Sequence, residues 1–444
     1  MSPIGLRRGL KPVALLATMY LMLCGGPFGN EQAVPTAGPG LTVLVTSIMA
    51  LIWAVPYALL VAEMVAALPL EGGLYQWFRA GIGPFWSFQF SFLDWVTWVM
   101  DAALYPPLVA AYFLTFVPGH QSRMAHWTIC LVVIWLCTWL HVRGIRAVGR
   151  LSVLMSLAQL LPVVVLVALG WSSIHLSSLR PYWPHGASFT GALNYALVWA
   201  LWNYSGYGAL ASAGEETVDP QRTYPKVLAI FLPVSVAVYV LPILVALGVT
   251  PDWHLWKAGH LNHVAAILGG TGLLIGMAVA AQIANLGLLN GELLVISRTP
   301  YAMARDGLLP RALAVLHPRH GTPARILILQ AVLFSILTYF FNFVELLVVS
   351  TWLAIPSYVV TFVTPLVLRW KRPDLRGPFR IPGGWPVLIV TALVPTVIAI
   401  YVLFTINPFD LLVGLGFALI GPILYVTMRA RGGPAPSPPA PDEG

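Results

Sequence analysis

Apolar runs long enough to cross a bilayer recur along almost the whole chain, separated by short connectors that hold most of the charge. A hydrocarbon core of about 30 Å needs about 20 mostly apolar residues per helix. On that measure the sequence predicts twelve spans, near 11–34, 40–68, 84–117, 125–141, 149–171, 189–214, 224–249, 264–298, 324–342, 345–369, 386–406 and 410–429. The segments 72–83 and 300–315 read as short interfacial helices. Only 9% of the 444 residues are charged, against about 25% in a soluble domain. Helices satisfy their own backbone in lipid, so the pattern predicts an all-α integral membrane protein. Residues 1–431 form one polytopic domain on this reading. The Pro-rich tail 432–444 is expected to be disordered.

The basic residues set an orientation. Of the 24 Lys and Arg, all but Arg123, Arg180 and Lys257 fall on one side of the twelve-span arrangement. Positive charge marks the cytoplasmic side. Both termini are therefore expected in the cytoplasm, in the plasma or inner membrane of the cell, with an uncleaved first helix. The net charge of +8 does not indicate nucleic acid, because the cations lie in short clusters between apolar runs. Cys24, Cys130 and Cys137 suggest neither a disulfide nor a metal site. No metal and no cofactor are expected.

The first run contains "LMLCGGPFGNE", Leu21 to Glu31. Two glycines and a proline break a helix there. The sixth run contains "LWNYSGYGALASAGEE", in which Gly206 and Gly208 lie among Asn203, Tyr204, Ser205 and Tyr207. One such break alone reads as a kink or a small-residue packing site. Two breaks, five spans apart, point to a secondary transporter's binding site. A broken helix frees backbone groups at membrane depth, tolerated only where protein or a cavity satisfies them. The expected substrate-binding residues are Cys24, Gly25, Gly26, Pro27, Phe28 and Glu31 at the first break, and Asn203, Tyr204, Ser205, Gly206, Tyr207 and Gly208 at the second. Pro27 lacks an N–H, but Cys24, Gly25 and Gly26 can still offer some donors.

Five acids fall within spans: Glu31, Glu63, Asp94, Asp101 and Glu292. Embedded charges face a cavity or a partner. No Lys or Arg is expected at mid-membrane, so the acids favour a cationic or amine-bearing ligand, a proton, or both. Asp94, Trp98, Asp101 and Tyr105 share one helix face by spacing, which places Asp101 and Tyr105 in the site. Glu63, Asp94 and Glu292 read as gate or structural residues, with Glu63 pairing a loop arginine such as Arg143 or Arg146.

Two further stretches carry a family resemblance. "LPLEGGLYQWFRAGIGPFWSF", 68–88, and "SRTPYAMARDGLLPRALAVLHPRHGTPARIL", 297–327, resemble conserved-order segments of the amino acid–polyamine–organocation permeases. With the break they cover spans one to nine. The resemblance implies a LeuT-like fold: two inverted five-helix repeats plus two C-terminal helices, with helices one and six broken. "GGPFGNE" and "VMDAALYPPL" are closest to the polyamine-uptake branch. Tyr57 and Gly206-Tyr207 depart from that branch, which tends to carry Glu and Trp-Asp there. Fewer acids suit a monoamine or an amino acid better than a multiply charged polyamine.

The resemblance implies a permease moving amino acids or organic amines by alternating access. Alternatives are an exchanger or a non-transporting sensor. An enzyme would need a nucleophile–base pair or metal cluster at membrane depth, and His141 has no such companion. Sodium-coupled members of this fold use Ser or Thr hydroxyls on span eight, and Gly272 to Ile296 contains none. Proton-coupled relatives can place a lysine on span five, and 149–171 has none. A carboxylate is then the simplest proton carrier, with Glu31 and Asp101 as candidates. The expected partners are an amino acid or amine, the proton and the lipid bilayer.

Overall fold

A computed structural model describes residues 10–70, 72–115, 122–257, 259–341, 343–405 and 408–430. The expected disordered tail lies outside them. Helices dominate the described residues, with no extended sheet. In chain order they are α1 (Pro12–Leu23), α2 (Ala33–Ala37), α3 (Pro39–Met49), α4 (Val55–Ala67), α5 (Leu74–Ile82), α6 (Pro84–Ala102), α7 (Tyr105–Thr115), α8 (Arg123–Val142) and α9 (Ile145–Gly170). After these come α10 (Phe189–Asn203), α11 (Pro220–Val249), α12 (His260–Ile296), α13 (Arg298–Arg305), α14 (Ala324–Phe340), α15 (Phe343–Lys371), α16 (Gly384–Leu403) and α17 (Pro408–Ala430).

Among the described residues, seven helical stretches are long and apolar enough to cross a membrane, and three shorter apolar helices accompany them. The first of the seven, Pro39–Ala67, runs α3 into α4 through one wider turn at Ala50–Ala54. Local chemistry starts many of the helices. Proline stands in the first turn of α1, α3, α4, α6 and α11, where its missing N–H has no partner to lose. Ser122 and Ser188 cap α8 and α10, their hydroxyls accepting the N–H of Ala125 and of Gly191 at 3.1 Å.

Three expected spans differ in detail. The third, 84–117, is two helices, because Pro106 and Pro107 follow the turn at Ala103–Leu104 and cannot donate back into α6. The sixth ends as an α-helix at Asn203 and resumes as a tighter turn, Leu210–Glu216. The eighth starts earlier, at His260, and kinks at Gly270, whose φ of 65° and ψ of −161° are not helical.

Buried ion pairs fasten the connectors. Arg298 holds Glu216 through two bonds, 2.8 and 3.1 Å, and both side chains are almost fully buried. Arg79 pairs with Asp306, which also accepts the Tyr75 hydroxyl at 2.8 Å. The two stretches singled out in the sequence thus meet: Tyr75 and Arg79 come from the first, Asp306 from the second. Glu63 is clasped by Arg369 at 2.6 and 2.5 Å and accepts the Ile381 N–H at 2.8 Å. Its partner is Arg369, at the end of α15, and not Arg143, which lies over the Trp139 ring; the Arg146 side chain lies outside the described residues. Leu10 lies alongside Thr217: its N–H donates to the Glu216 carbonyl at 3.1 Å, and its carbonyl accepts the Val218 N–H at 2.9 Å.

Candidate binding site at two interrupted helices

The first interruption follows Leu23. The N–H groups of Cys24 and Gly25 fold back onto the Tyr20 carbonyl, at 2.9 and 3.2 Å. Gly25 and Gly26 then take φ of 55° and 84°, a region that favours glycine. The chain turns through Asn30–Gln32 into α2. The second interruption follows Asn203, and Gly206 takes a φ of 83°.

Tyr239, on α11, joins the two. Its hydroxyl lies 3.0 Å from the Leu23 carbonyl, 3.2 Å from that of Cys24 and 2.9 Å from that of Asn203. One O–H has one proton to donate, so three carbonyls share it. The Trp53 indole N–H donates to the Tyr204 carbonyl at 3.1 Å. The Gly208 N–H donates to the Tyr57 hydroxyl at 3.4 Å.

A cavity opens beside the breaks. Cys24, Gly25, Gly26, Phe28, Asn203 and Ser205 line it from the two breaks, and Trp98, Asp101 and Tyr105 from the third expected span. Leu288 and Glu292 line it from α12. A second cavity adjoins, bordered by Trp53, Thr97, Ile355 and Tyr358. Trp98, Asp101, Trp202 and Ser205 line both. No Lys, Arg or His lines either cavity among the described residues.

The acids divide by environment. Asp101 accepts the Tyr105 hydroxyl at 2.8 Å and faces Glu292 and the Trp202 indole. Glu292 is fully buried, and neither of its carboxyl oxygens has a hydrogen-bond partner. It faces Asp101 and Tyr105. Glu292, expected from the sequence as a gate or structural residue, lines the cavity. The cause is close helix packing. A side chain at Gly287 or Gly291 would strike Leu21 or Met22, with β-carbons 2.7 and 2.5 Å from the nearest atoms. Lacking them, α12 lies against the end of α1 and carries its next residue to the break.

Glu31 stands elsewhere. It lines none of these cavities. One carboxyl oxygen accepts the Gly29 N–H at 2.9 Å and the other accepts the Gly259 N–H at 2.8 Å. It ties the outer part of the first break to the connector before α12. Asp94 also lies off the cavities, facing Trp98. Tyr204 and Tyr207 are buried: Tyr204 packs on Tyr239 with ring centres 5.5 Å apart, and Tyr207 on Tyr57 at 5.3 Å. Pro27, Gly206 and Gly208 shape the breaks without lining the cavity. The expected donors are also committed: Cys24 and Gly25 bond to Tyr20, and the Gly26 N–H points at the Cys24 sulfur. The first break thus offers few free backbone donors, and the donors on the lining are side chains, Asn203, Trp98 and Trp202.

Sequence reasoning missed Tyr239, Trp202 and Leu288. Tyr239 left one signal: a hydroxyl amid the apolar residues "VAVYVLP". Buried hydroxyls need partners.

Comparison with known proteins agrees in extent and kind. The amino acid permease family profile matches residues 15–426. A probable polyamine transporter of Arabidopsis thaliana is 31% identical over 398 residues, covering 88% of this chain and 78% of the relative. The polyamine transporter PUT1 of Oryza sativa subsp. japonica is 30% identical over 430 residues, covering 95% and 78%. The branched-chain amino acid permease BcaP of Bacillus subtilis is 26% identical over 394 residues, covering 83% and 81%. With a family match across almost its whole length, the chain belongs to the amino acid permease family.

Proposed function

We propose that this permease moves amino acids or organic amines, polyamines among them, across the cell membrane by alternating access, driven by a proton gradient. As a member of a permease family it is a multi-pass membrane transporter and not an enzyme. Relatives named for polyamine and for amino acid transport support that range of substrates. We further propose twelve spans arranged as two inverted five-helix repeats plus two, over residues 1–431, with both termini cytoplasmic. The charge asymmetry of the connectors supports the orientation.

One observation carries the site assignment: the two helix breaks share Tyr239 and border one cavity whose charged lining groups are Asp101 and Glu292. Broken-helix ends at the contact of two repeats are where secondary transporters bind substrate. In this reading Asp101 takes the ammonium, helped by the surplus carbonyls of the breaks. Glu292, with no donor of its own, holds the coupling proton. Of the two carriers expected from sequence, Asp101 lines this cavity and in this reading meets the ammonium rather than the proton. Glu31 acts on the outer half of the first break through its two backbone bonds.

The test is uptake into proteoliposomes of labelled amines and amino acids under imposed gradients. Uptake is expected to follow an inward proton gradient and to ignore sodium. Uptake that needs sodium overturns the coupling. Uptake indifferent to both gradients but dependent on internal substrate makes the protein an exchanger. Binding without flux makes it a sensor.

A further inference from the structure

The two adjoining cavities differ in chemistry in a way that defines what can lie across them. Resting on the assignment of this site to substrate, we infer that the ligand is a primary amine with a single ammonium and an uncharged, apolar tail.

The head is fixed by the acceptors. Asp101 and Glu292 border the break cavity, and the unpartnered oxygens of Glu292 are fully buried. Three carbonyls compete for the Tyr239 proton beside them. An ammonium brings three N–H donors and a charge to that set. A carboxylate brings only acceptors, and the N–H groups of Cys24 and Gly25 that could meet it are taken by Tyr20. The first break therefore favours the ammonium over the carboxylate of an α-amino acid.

The tail is fixed by the second cavity. Asp101, shared with the break cavity, is its one charged lining residue. Beyond it the walls are Trp53, Ile355, Tyr358 and Ala354, with hydroxyls from Thr97 and Ser350. A second ammonium there would lose its water with no second carboxylate on the cavity wall, since Asp94 stands behind Trp98 and Tyr358, and an unpaired buried charge is strongly unfavourable. An alkyl or aryl chain meets none of that penalty and gains by leaving water. Aromatic faces also attract cations, so the diamine is the sharpest competitor.

The test is ligand binding to the purified protein in nanodiscs, read by thermal shift and by calorimetry. The probes are the n-alkylamines from ethylamine to octylamine, phenethylamine, putrescine, spermidine and leucine. Affinity is expected to climb along the alkylamines by about fourfold per methylene until the second cavity is full. Hexylamine and phenethylamine are expected to bind at least about tenfold tighter than putrescine. Ile355→Asp, which places a carboxylate in the tail cavity, is expected to invert that order. Should this variant not fold, the chain-length series on the parent protein decides alone. Putrescine or spermidine binding tighter than hexylamine overturns the inference, as does a flat chain-length series or the absence of binding by every monoamine. Leucine binding tighter than any amine overturns the head assignment as well. Proteoliposome flux is scored separately: monoamine binding without flux leaves this inference standing and removes the transport reading.

Discussion

Gly26 and Gly206 sit at matching points of the two breaks, yet alanine at each is expected to act differently. Their φ values are 84° and 83°. A non-glycine residue held in such a conformation costs about 1–3 kcal/mol, which is roughly five- to 150-fold in population. If the bound state needs that backbone, affinity falls by the same factor, because the competent fraction falls. The surroundings add a second term. At Gly26 a β-carbon would lie 2.3 Å from the Gln159 amide nitrogen. That amide is the far end of a flexible chain with no hydrogen bond to lose, and the next atoms, of the Phe28 ring, lie at 3.0 Å. At Gly206 the β-carbon would lie 2.6 Å from the Trp98 ring and 2.7 Å from Leu23. Trp98 is a buried wall of both cavities and has no such freedom. Gly26→Ala is therefore expected to weaken amine binding by roughly five- to 150-fold, and Gly206→Ala by at least about tenfold more. Adding Gln159→Ala to Gly26→Ala is expected to recover little, since the backbone carries most of the loss. The assay is calorimetry with hexylamine on variants matched for monodispersity, followed by proteoliposome uptake. Parental affinity in Gly206→Ala, or full rescue of Gly26→Ala by Gln159→Ala, would refute the reasoning.

Asp101→Asn removes the carboxylate from a charged hydrogen bond worth about 1.5–3 kcal/mol, so calorimetry is expected to show amine affinity roughly 10- to 150-fold lower. Glu31→Gln is expected to keep affinity within about threefold of the parent, because its oxygens hold Gly29 and Gly259 and not the cavity; its effect belongs in the thermal stability. For the proton, the sign follows from neutrality: one ammonium plus one proton offsets Asp101 and Glu292 together. Uptake is thus expected to rise as external pH falls, and Glu292→Gln, which mimics the proton-loaded acid, to flatten that dependence while preserving binding. Glu216→Gln, which removes the charge from two bonds to buried Arg298, is expected to destabilise by about 1.5–3 kcal/mol; a double variant with Arg298→Met is expected to recover part of it in a denaturant unfolding assay.

The breaks were legible in the sequence because glycine and proline act locally: a positive φ or a missing N–H needs no distant partner to interrupt a helix. Asp101 and Tyr105 were legible too, one turn of spacing apart, although a helix boundary falls between them. What was lost depended on tertiary meeting. Glu292 was displaced in the reading because its depth was counted along one chain, whereas its place is set by how closely α12 packs on α1. Tyr239 matters only because two carbonyl groups of one break and one of the other converge on it, and no spacing within α11 records that. Glu31 shows the other side: an acid beside a break looks like a ligand group, and its tertiary setting, two backbone donors from Gly29 and Gly259, is not written in the spacing. Glu63 was read as paired, and only its partner was wrong, since Arg369 lies 306 positions further on.

The contact of Leu10 with the stretch from Glu216 to Val218 bears on how this protein can be handled. The same few residues are gripped from one side by backbone bonds to Leu10 and from the other by Arg298. Anything fused a short distance before Leu10 therefore pulls, through two bonds, on the far end of the second interrupted helix. A rigid fusion partner there would load the junction between that helix and α13 like a hand resting on a clasp. A fluorophore beside Leu10, attached through a slack linker, would instead report whether that junction stays closed, since Leu10 and Arg298 of α13 hold the same residues.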